Sequence, residues 1–164
     1  MTWVDFVREY GPSVYRTAWR ILAHAQDCED VVQDVFIEAH PLFEAGKVDH
    51  WTTFLNRLAT FRAIDLLRRR RPIEQVDPET AIEATATAEQ RLVATELEAQ
   101  IRRIIASLPE RQAAVFCLVH FEEYTNSRVA QLLDISENAV ALALHKARCT
   151  LRERLSLREK GYQT

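Results

Sequence analysis

Glycine is nearly missing from this chain: three occur in 164 residues, against a usual share of about 7%. Tight hairpin turns lean on glycine because it reaches left-handed backbone conformations without steric cost. An all-β fold with many such turns is therefore excluded, and so are a Gly-rich phosphate loop and a dinucleotide-binding fingerprint. Ala, Leu, Glu, Gln and Arg are abundant, and these are the residues that cost least in a helix. With 48% hydrophobic and 27% charged residues, the chain can bury a real core. The expected fold class is all-α.

Cys28, Cys117 and Cys149 are scattered, with no C-x-x-C pair. They read as small apolar residues in a reducing compartment. His24, His40, His50, His120 and His145 show no metal-ligand spacing, and no acid/base or nucleophile arrangement stands out. No metal, cofactor or enzymatic activity is expected. The N-terminal segment MTWVDFVREYGPS is amphipathic and lacks the basic start of a signal peptide. The longest apolar run, Ala113–Val119, is far short of a membrane span. The expected location is the cytoplasm.

Charge is uneven. The net of −3 divides into −4 over residues 1–48, +4 over 49–71, −6 over 72–100 and +3 over 101–164. Two basic islands in an acidic chain do not make a non-specific nucleic-acid coat, but local phosphate neutralisation remains open to them.

Apolar residues recur at helical spacing through most of the chain. Residues 2–9 and 12–24 read as one broken helix or two short ones, with Gly11 at the break and Tyr15, Ala18, Trp19 and Leu22 on one face. Asp27 caps a following helix, with Asp30 near its positive end; Val31, Val32, Val35, Phe36 and Ala39 point inward, and Pro41 ends it near His40. A helix from 49 or 50 to 70 carries Phe54, Leu55, Leu58, Phe61, Ile64, Leu66 and Leu67. The stretch 72–88 holds two prolines and many acids with weak periodicity, and reads as a linker between independently folding domains at 1–71 and 89–164. Beyond it, a helix over 89–107 has Leu92, Leu97, Ile101, Ile104, Ile105 and Leu108 as its inward stripe. Helices over 109–121, 125–133 and 136–158 complete the chain.

Residues 125–148, TNSRVAQLLDISENAVALALHKAR, have the form of a helix-turn-helix. Ala130 is small enough for a close crossing. Val129, Leu133, Ile135 and Val140 close a small core. Asp134 stands where the turn needs a left-handed residue, a conformation Asp tolerates. Ser136 caps the second helix. A plain helical hairpin has the same local pattern. Upstream, Arg68, Arg69, Arg70 and Arg71 end a helix, where they complement its dipole and present forked donors to phosphate. A solvated helix end gives the same run.

The order of these pieces is specific. The chain carries Tyr10-Gly11-Pro12-Ser13-Val14-Tyr15, then Asp27-x-x-Asp30-Val31-Val32-Gln33-Asp34-Val35-Phe36, then Ala63-Ile64-Asp65-x-Leu67-Arg68-Arg69. The second half carries Leu108-Pro109-Glu110-Arg111-Gln112 and Leu144-His145-x-Ala147-Arg148-x-x-Leu151-Arg152. Over about residues 5–157 the chain resembles the extracytoplasmic-function (ECF) sigma factors, two-domain promoter-specificity subunits of bacterial RNA polymerase.

The resemblance implies a set of sites. Asp30, Gln33, Asp34 and Phe36 fall in the helix with which the family docks on core polymerase. The family melts the −10 promoter element and holds an extruded base, which costs a few kcal/mol of stacking. The corresponding loop is 42–51, where Phe43, His50 and Trp51 are stacking candidates and Lys47 reaches phosphate. Asn56, Arg57, Thr60, Arg62, Arg68 and Arg69 are the strand-contacting candidates on the next helix. The chain departs from the family pattern here, with Phe61 and Phe54 in place of a frequent Asn and Trp. For the −35 element the implied base readers are Ser136, Glu137, Asn138, Ala141 and Leu142, with Arg128, His145, Lys146, Arg148 and Arg152 on phosphates. Family members often hold Thr, Lys, Ser and Arg where this chain has Ala139, Ala141, Leu142 and Ala143. The acidic stretch 72–88 matches the family's linker, which follows the polymerase's RNA path; a solvated tether is the plain alternative.

The implied function is a non-enzymatic subunit that binds core RNA polymerase and promoter DNA and is held in check by an anti-sigma factor. Two other classes stay open. A sigma-like decoy or adaptor would keep the protein-binding surfaces and lose promoter reading, which the neutral face Ala141-Leu142-Ala143 suits. A stand-alone helix-turn-helix repressor would need a dimer seam, and no heptad array is visible.

Overall fold

The computed structural model describes residues 1–70 and 88–161, which form seven helices and no strand. They are α1 (Trp3–Leu22), α2 (Ala25–Glu44), α3 (Trp51–Arg69), α4 (Ala88–Ser107), α5 (Glu110–His120), α6 (Asn126–Leu133) and α7 (Glu137–Gly161). The all-α expectation holds for these residues. The linker expected at 72–88 lies outside them apart from Ala88, as does Arg71.

Two proline-based boundaries are corrected. α1 runs unbroken through Gly11 and Pro12. Proline removes only the bond its own N–H would make and crowds one carbonyl. Phe6, Val14, Thr17, Ala18 and Ile21 are all buried, so one packed face spans the defect. α2 likewise continues past Pro41 to Glu44. Phe43 beyond the proline packs on Trp3 (ring centroids 5.2 Å apart) and Phe6 (4.9 Å), which holds the last turn in place.

The caps of α1 and α2 involve side chains at both ends of their first turns, and that of α2 differs from expectation. Thr2 and Asp5 form a reciprocal capping box on α1, and these hydrogen bonds hold the Asp5 carboxyl below its ordinary value. α2 is capped by His24, whose Nδ1 accepts from the Asp27 N–H at 3.4 Å. Asp27 is not the cap. It is buried in the first turn and takes a hydrogen bond from Arg70, which ties the start of α2 to the end of α3.

One apolar core runs through both halves of the chain. It joins Val14, Val35, Leu55 and Ile64 to Ile105, Leu108, Ala113 and Cys117. The halves are thus packed together in this conformation. In α4, Ile104 and Ile105 are buried as expected, whereas Leu97 is 47% exposed; the side chain of Leu92 lies outside the described residues. A smaller core of Val115, Leu118, Val129, Ala130, Val140, Ala143 and Leu144 holds α5, α6 and α7. Cys28 and Cys117 are buried free thiols. Burial pushes Cys28 up to about 11 and raises Cys117 further, so both act as small apolar residues.

Candidate nucleic-acid interface

The helix-turn-helix is built as its sequence requires. Thr125 Oγ1 accepts from the Arg128 N–H at 3.2 Å and starts α6. Asp134 takes the left-handed conformation, φ 52° and ψ 48°, that turns the chain. Ser136 Oγ accepts from the Ala139 N–H at 3.1 Å and starts α7. Ala130 and Val140 are buried at the crossing, with Ile135 and Leu133 packed against them.

α7 then presents one continuous outward stripe. Ser136, Glu137, Asn138, Ala141, Leu142, His145, Lys146, Arg148 and Arg152 are all exposed. Spacings of three and four keep Asn138, Ala141, Leu142, His145, Arg148 and Arg152 on one side of the helix. Polar and apolar groups fit for base edges lie in the first turns, and cations follow. Ala143 is not part of this face. It is buried in the small core, so the exposed apolar surface here is limited to Ala141 and Leu142. Arg148 Nε donates to His120 Nε2 at 3.3 Å, and burial with the neighbouring guanidinium holds His120 below its ordinary value. Cys149 Sγ lies 3.5 Å from His145 Nε2.

The candidates of the first half divide between the two sides of α3. On one side, Asn56 is 5% exposed and Thr60 is fully buried. Thr60 Oγ1 donates to the Asn56 carbonyl at 2.8 Å. Asn56 Oδ1 accepts from Ser13 Oγ at 3.2 Å, and its Nδ2 donates to Glu122 Oε2 and Tyr124 Oη, each at 3.3 Å. The Asn56 side chain therefore faces the second half, and the Thr60 hydroxyl is turned back onto its own helix. Arg128 joins this side, donating through Nη2 to Thr53 Oγ1 at 2.8 Å.

On the other side, Arg62 and Arg69 line a shallow polar groove of about 300 Å³ together with Asp30, Gln33, Asp34 and Asp65. Arg62 pairs with Glu38, which raises its already high value. Arg69 pairs with Asp65 at 2.7 Å. Arg68 donates to the Leu108 carbonyl. Arg57 lies over the Phe61 ring, 5.6 Å from its centre.

The loop candidates fall in two environments. Lys47 and His50 are exposed. Trp51 and Phe43 belong to an aromatic cluster: Trp51 stands 4.7 Å from Phe6, 5.9 Å from Phe54 and 6.2 Å from Phe43. Trp51 meets Phe6 and Phe54 edge to face and is tilted to Phe43, and both Phe43 and Trp51 pack partly buried against the core.

On α2, Asp30, Gln33 and Asp34 form an exposed stripe. Phe36 does not share it, because it is buried against Trp3 and Phe6. A residue missed from the sequence does: Ile37 is 72% exposed. Its position after the inward pair Val35-Phe36 places it on the outer face, and that was the available signal. Beside the stripe, an open and mainly apolar groove of about 640 Å³ runs between Gly11, Pro12, Tyr15 and Arg16 of α1 and Glu29, Val32 and Gln33 of α2.

Comparison with known proteins follows this division. Residues 6–73 match the Sigma-70 region 2 family, and residues 98–151 match the Sigma-70 region 4 family. The chain is 26% identical to the ECF RNA polymerase sigma factor SigW of Bacillus subtilis over 92% of this chain and 87% of that protein. It is 27% identical to ECF sigma factor SigE of Mycolicibacterium smegmatis over 94% and 62%. To ECF sigma factor SigF of Caulobacter vibrioides it is 30% identical over 79% and 71%. Its fold is similar to that of CnrH, solved in complex with the cytosolic domain of CnrY, with a TM-score of 0.63 and 22% identity over 94% of this chain and 88% of the other. The order of helices, the helix-turn-helix and both family matches agree: the chain belongs to the ECF sigma factors, the non-enzymatic subunits that give bacterial RNA polymerase its promoter specificity.

Proposed function

We propose how this sigma factor divides its work over its surfaces. The stripe Asp30, Gln33 and Asp34, extended by Ile37, meets core polymerase. Carboxylates at helical spacing around an apolar residue suit a basic partner helix. Phe36 supports the stripe from below. α7 enters the major groove at the −35 element, with Ser136, Glu137, Asn138, Ala141 and Leu142 at base edges and Arg128 of α6 with His145, Lys146, Arg148 and Arg152 along phosphates. Lys47, Asn56, Arg57 and Thr60 serve the −10 strand, with Arg68 and Arg69 as nearby phosphate donors. Residues 1–71 and 89–164 are the working domains and 72–88 their connection. The protein works in the cytoplasm, in keeping with the lack of any helix among the described residues long and apolar enough to cross a membrane. An anti-sigma factor is a further partner.

One observation carries the reading of the second half: the unbroken exposed stripe on α7, base-reading groups first and cations after, on a helix-turn-helix with its left-handed turn and caps in place. Burial of Ala143 shrinks the apolar face on which the decoy reading stood. Permanganate probing of genomic promoter fragments tests the function. Core polymerase with this protein should make thymines reactive in short tracts upstream of transcription starts, and core polymerase alone should not. Core binding without any reactive tract would contradict the reading.

A further inference from the structure

Leu142 is 55% exposed in the middle of the outward stripe of α7. It packs against neither apolar core, whereas its neighbours Ala143 and Leu144 are both buried. Core packing therefore does not account for a large apolar side chain there. The stripe is polar one turn to either side: Asn138 precedes Leu142 by four residues, and His145 and Lys146 follow it by three and four. From Ser136 to Leu144 the chain has no Lys or Arg. That matters because a cation on N7 and O6 is the commonest way a helix reads guanine. The cations begin only at Lys146, Arg148 and Arg152, where they complement the phosphates beside a groove.

We propose that Leu142, with Ala141 beside it, selects thymine in the −35 element by packing on the base's C5-methyl group. The proposal rests on the placement of α7 in the major groove given above. Among the groups that base pairs present in that groove, the thymine methyl is the apolar one, and the others donate or accept hydrogen bonds. Leucine then discriminates twice. Against thymine it buries apolar surface on apolar surface. Against the other bases it strips water from polar edges and offers no partner in return. Asn138, one turn earlier, carries the amide suited to adenine, so the helix favours A·T pairs where guanine-reading cations are missing. A G·C pair stays readable through Glu137, which can accept from the cytosine amino group. The cations that continue the stripe give this face the charge of a DNA surface, which favours a base over a partner protein as the occupant.

The test uses holoenzyme, the full chain with core RNA polymerase, and promoter-length duplexes with a randomised −35 window, sequenced before and after binding. The wild type should enrich windows with thymine fixed at one position. Leu142→Ala should lower the preference at that position about fourfold, the factor that one buried carbon contributes, and keep the others. Leu142→Arg should move the same position toward guanine. In the most enriched duplex, deoxyuridine in place of that thymine removes only the methyl group. It should weaken wild-type binding about fourfold and Leu142→Ala binding far less. Leu142 is exposed, so both variants should fold, and circular dichroism checks that they do. Thymine preference unchanged in Leu142→Ala overturns the proposal, and so does equal wild-type binding of the deoxyuridine duplex. So does a Leu142→Ala holoenzyme that selects the same windows while the variant holds core polymerase more weakly, since the face would then be a protein contact. No enriched window with the wild type would end the promoter reading itself, and this proposal with it.

Discussion

Arg128 in the first helix of the helix-turn-helix donates to Thr53 near the start of α3, 2.8 Å away and 75 residues earlier in the chain. The link connects a −35 candidate to the −10 half, across a junction that the linker composition alone would have left open. It follows one side of α3, where Thr53, Asn56 and Thr60 recur at spacings of three and four. The other side of the same helix carries Arg62, Asp65 and Arg69 toward α2. One helix thus carries inter-half hydrogen bonds on one side and a polar groove shared with α2 on the other.

The polymerase face can be tested by charge reversal. Asp30 and Asp34 are exposed on α2. The pair Asp30→Arg and Asp34→Arg should slow association with core polymerase and weaken binding at least tenfold at low salt, with attraction replaced by repulsion. Circular dichroism should be unchanged. Equal affinity for core polymerase at low and moderate salt would remove this stripe from the interface.

Base reading and phosphate anchoring should separate along α7. Asn138→Ala should cost about 1–3 kcal/mol of discrimination at one base position of the −35 element. Arg148→Ala should lower affinity for all sequences alike and reduce the salt dependence. A binding profile over a promoter library at two salt concentrations distinguishes them. If Asn138→Ala leaves preference intact at every position, α7 does not read bases as assigned.

The sequence made the second site legible and hid the first. Asp134 and Ser136 act through their own backbone neighbourhoods, so the turn and the cap could be read locally. Asn56 looked like an exposed polar residue because its partners Glu122 and Tyr124 lie more than sixty residues away. No periodicity within α3 reports a partner at that separation. Pro12 and Pro41 misled for a related reason: the aromatic and aliphatic contacts that carry helices across them come from other elements. Trp51, a stacking candidate by sequence, also contacts Phe6, Phe43 and Phe54, and none of these partners is its near neighbour along α3 except Phe54.

Core packing gives a stability prediction. Ile64 is buried in the core shared by the two halves, and Ile64→Ala should destabilise by about 2–5 kcal/mol through lost burial and the cavity left behind. Leu97 is a control: largely exposed, its change to Ala should stay within about 0.5 kcal/mol. Urea unfolding of both variants measures the contrast, and equal losses would contradict the packing described.

The pH dependence of stability should carry a contribution from His120. Burial and Arg148 hold its folded value below the ordinary one, so the unfolded chain takes the proton first as pH falls. The contribution is present above about pH 6.5, the ordinary value, and is lost as pH falls through the lower folded value. Protonation also removes the acceptor for Arg148 Nε. Thermal unfolding should therefore drop more between about pH 7.5 and pH 5 in the wild type than in His120→Gln. Parallel curves would contradict the assignment.

Run-off transcription with purified core polymerase on genomic fragments reads promoter selection by this chain itself. Added to core polymerase, the protein should produce a small set of discrete starts that share common −10 and −35 sequences, and Asn138→Ala should change which starts are used. Silence on every fragment while the protein remains bound to core polymerase would contradict it, and the chain would then be an adaptor rather than a promoter reader.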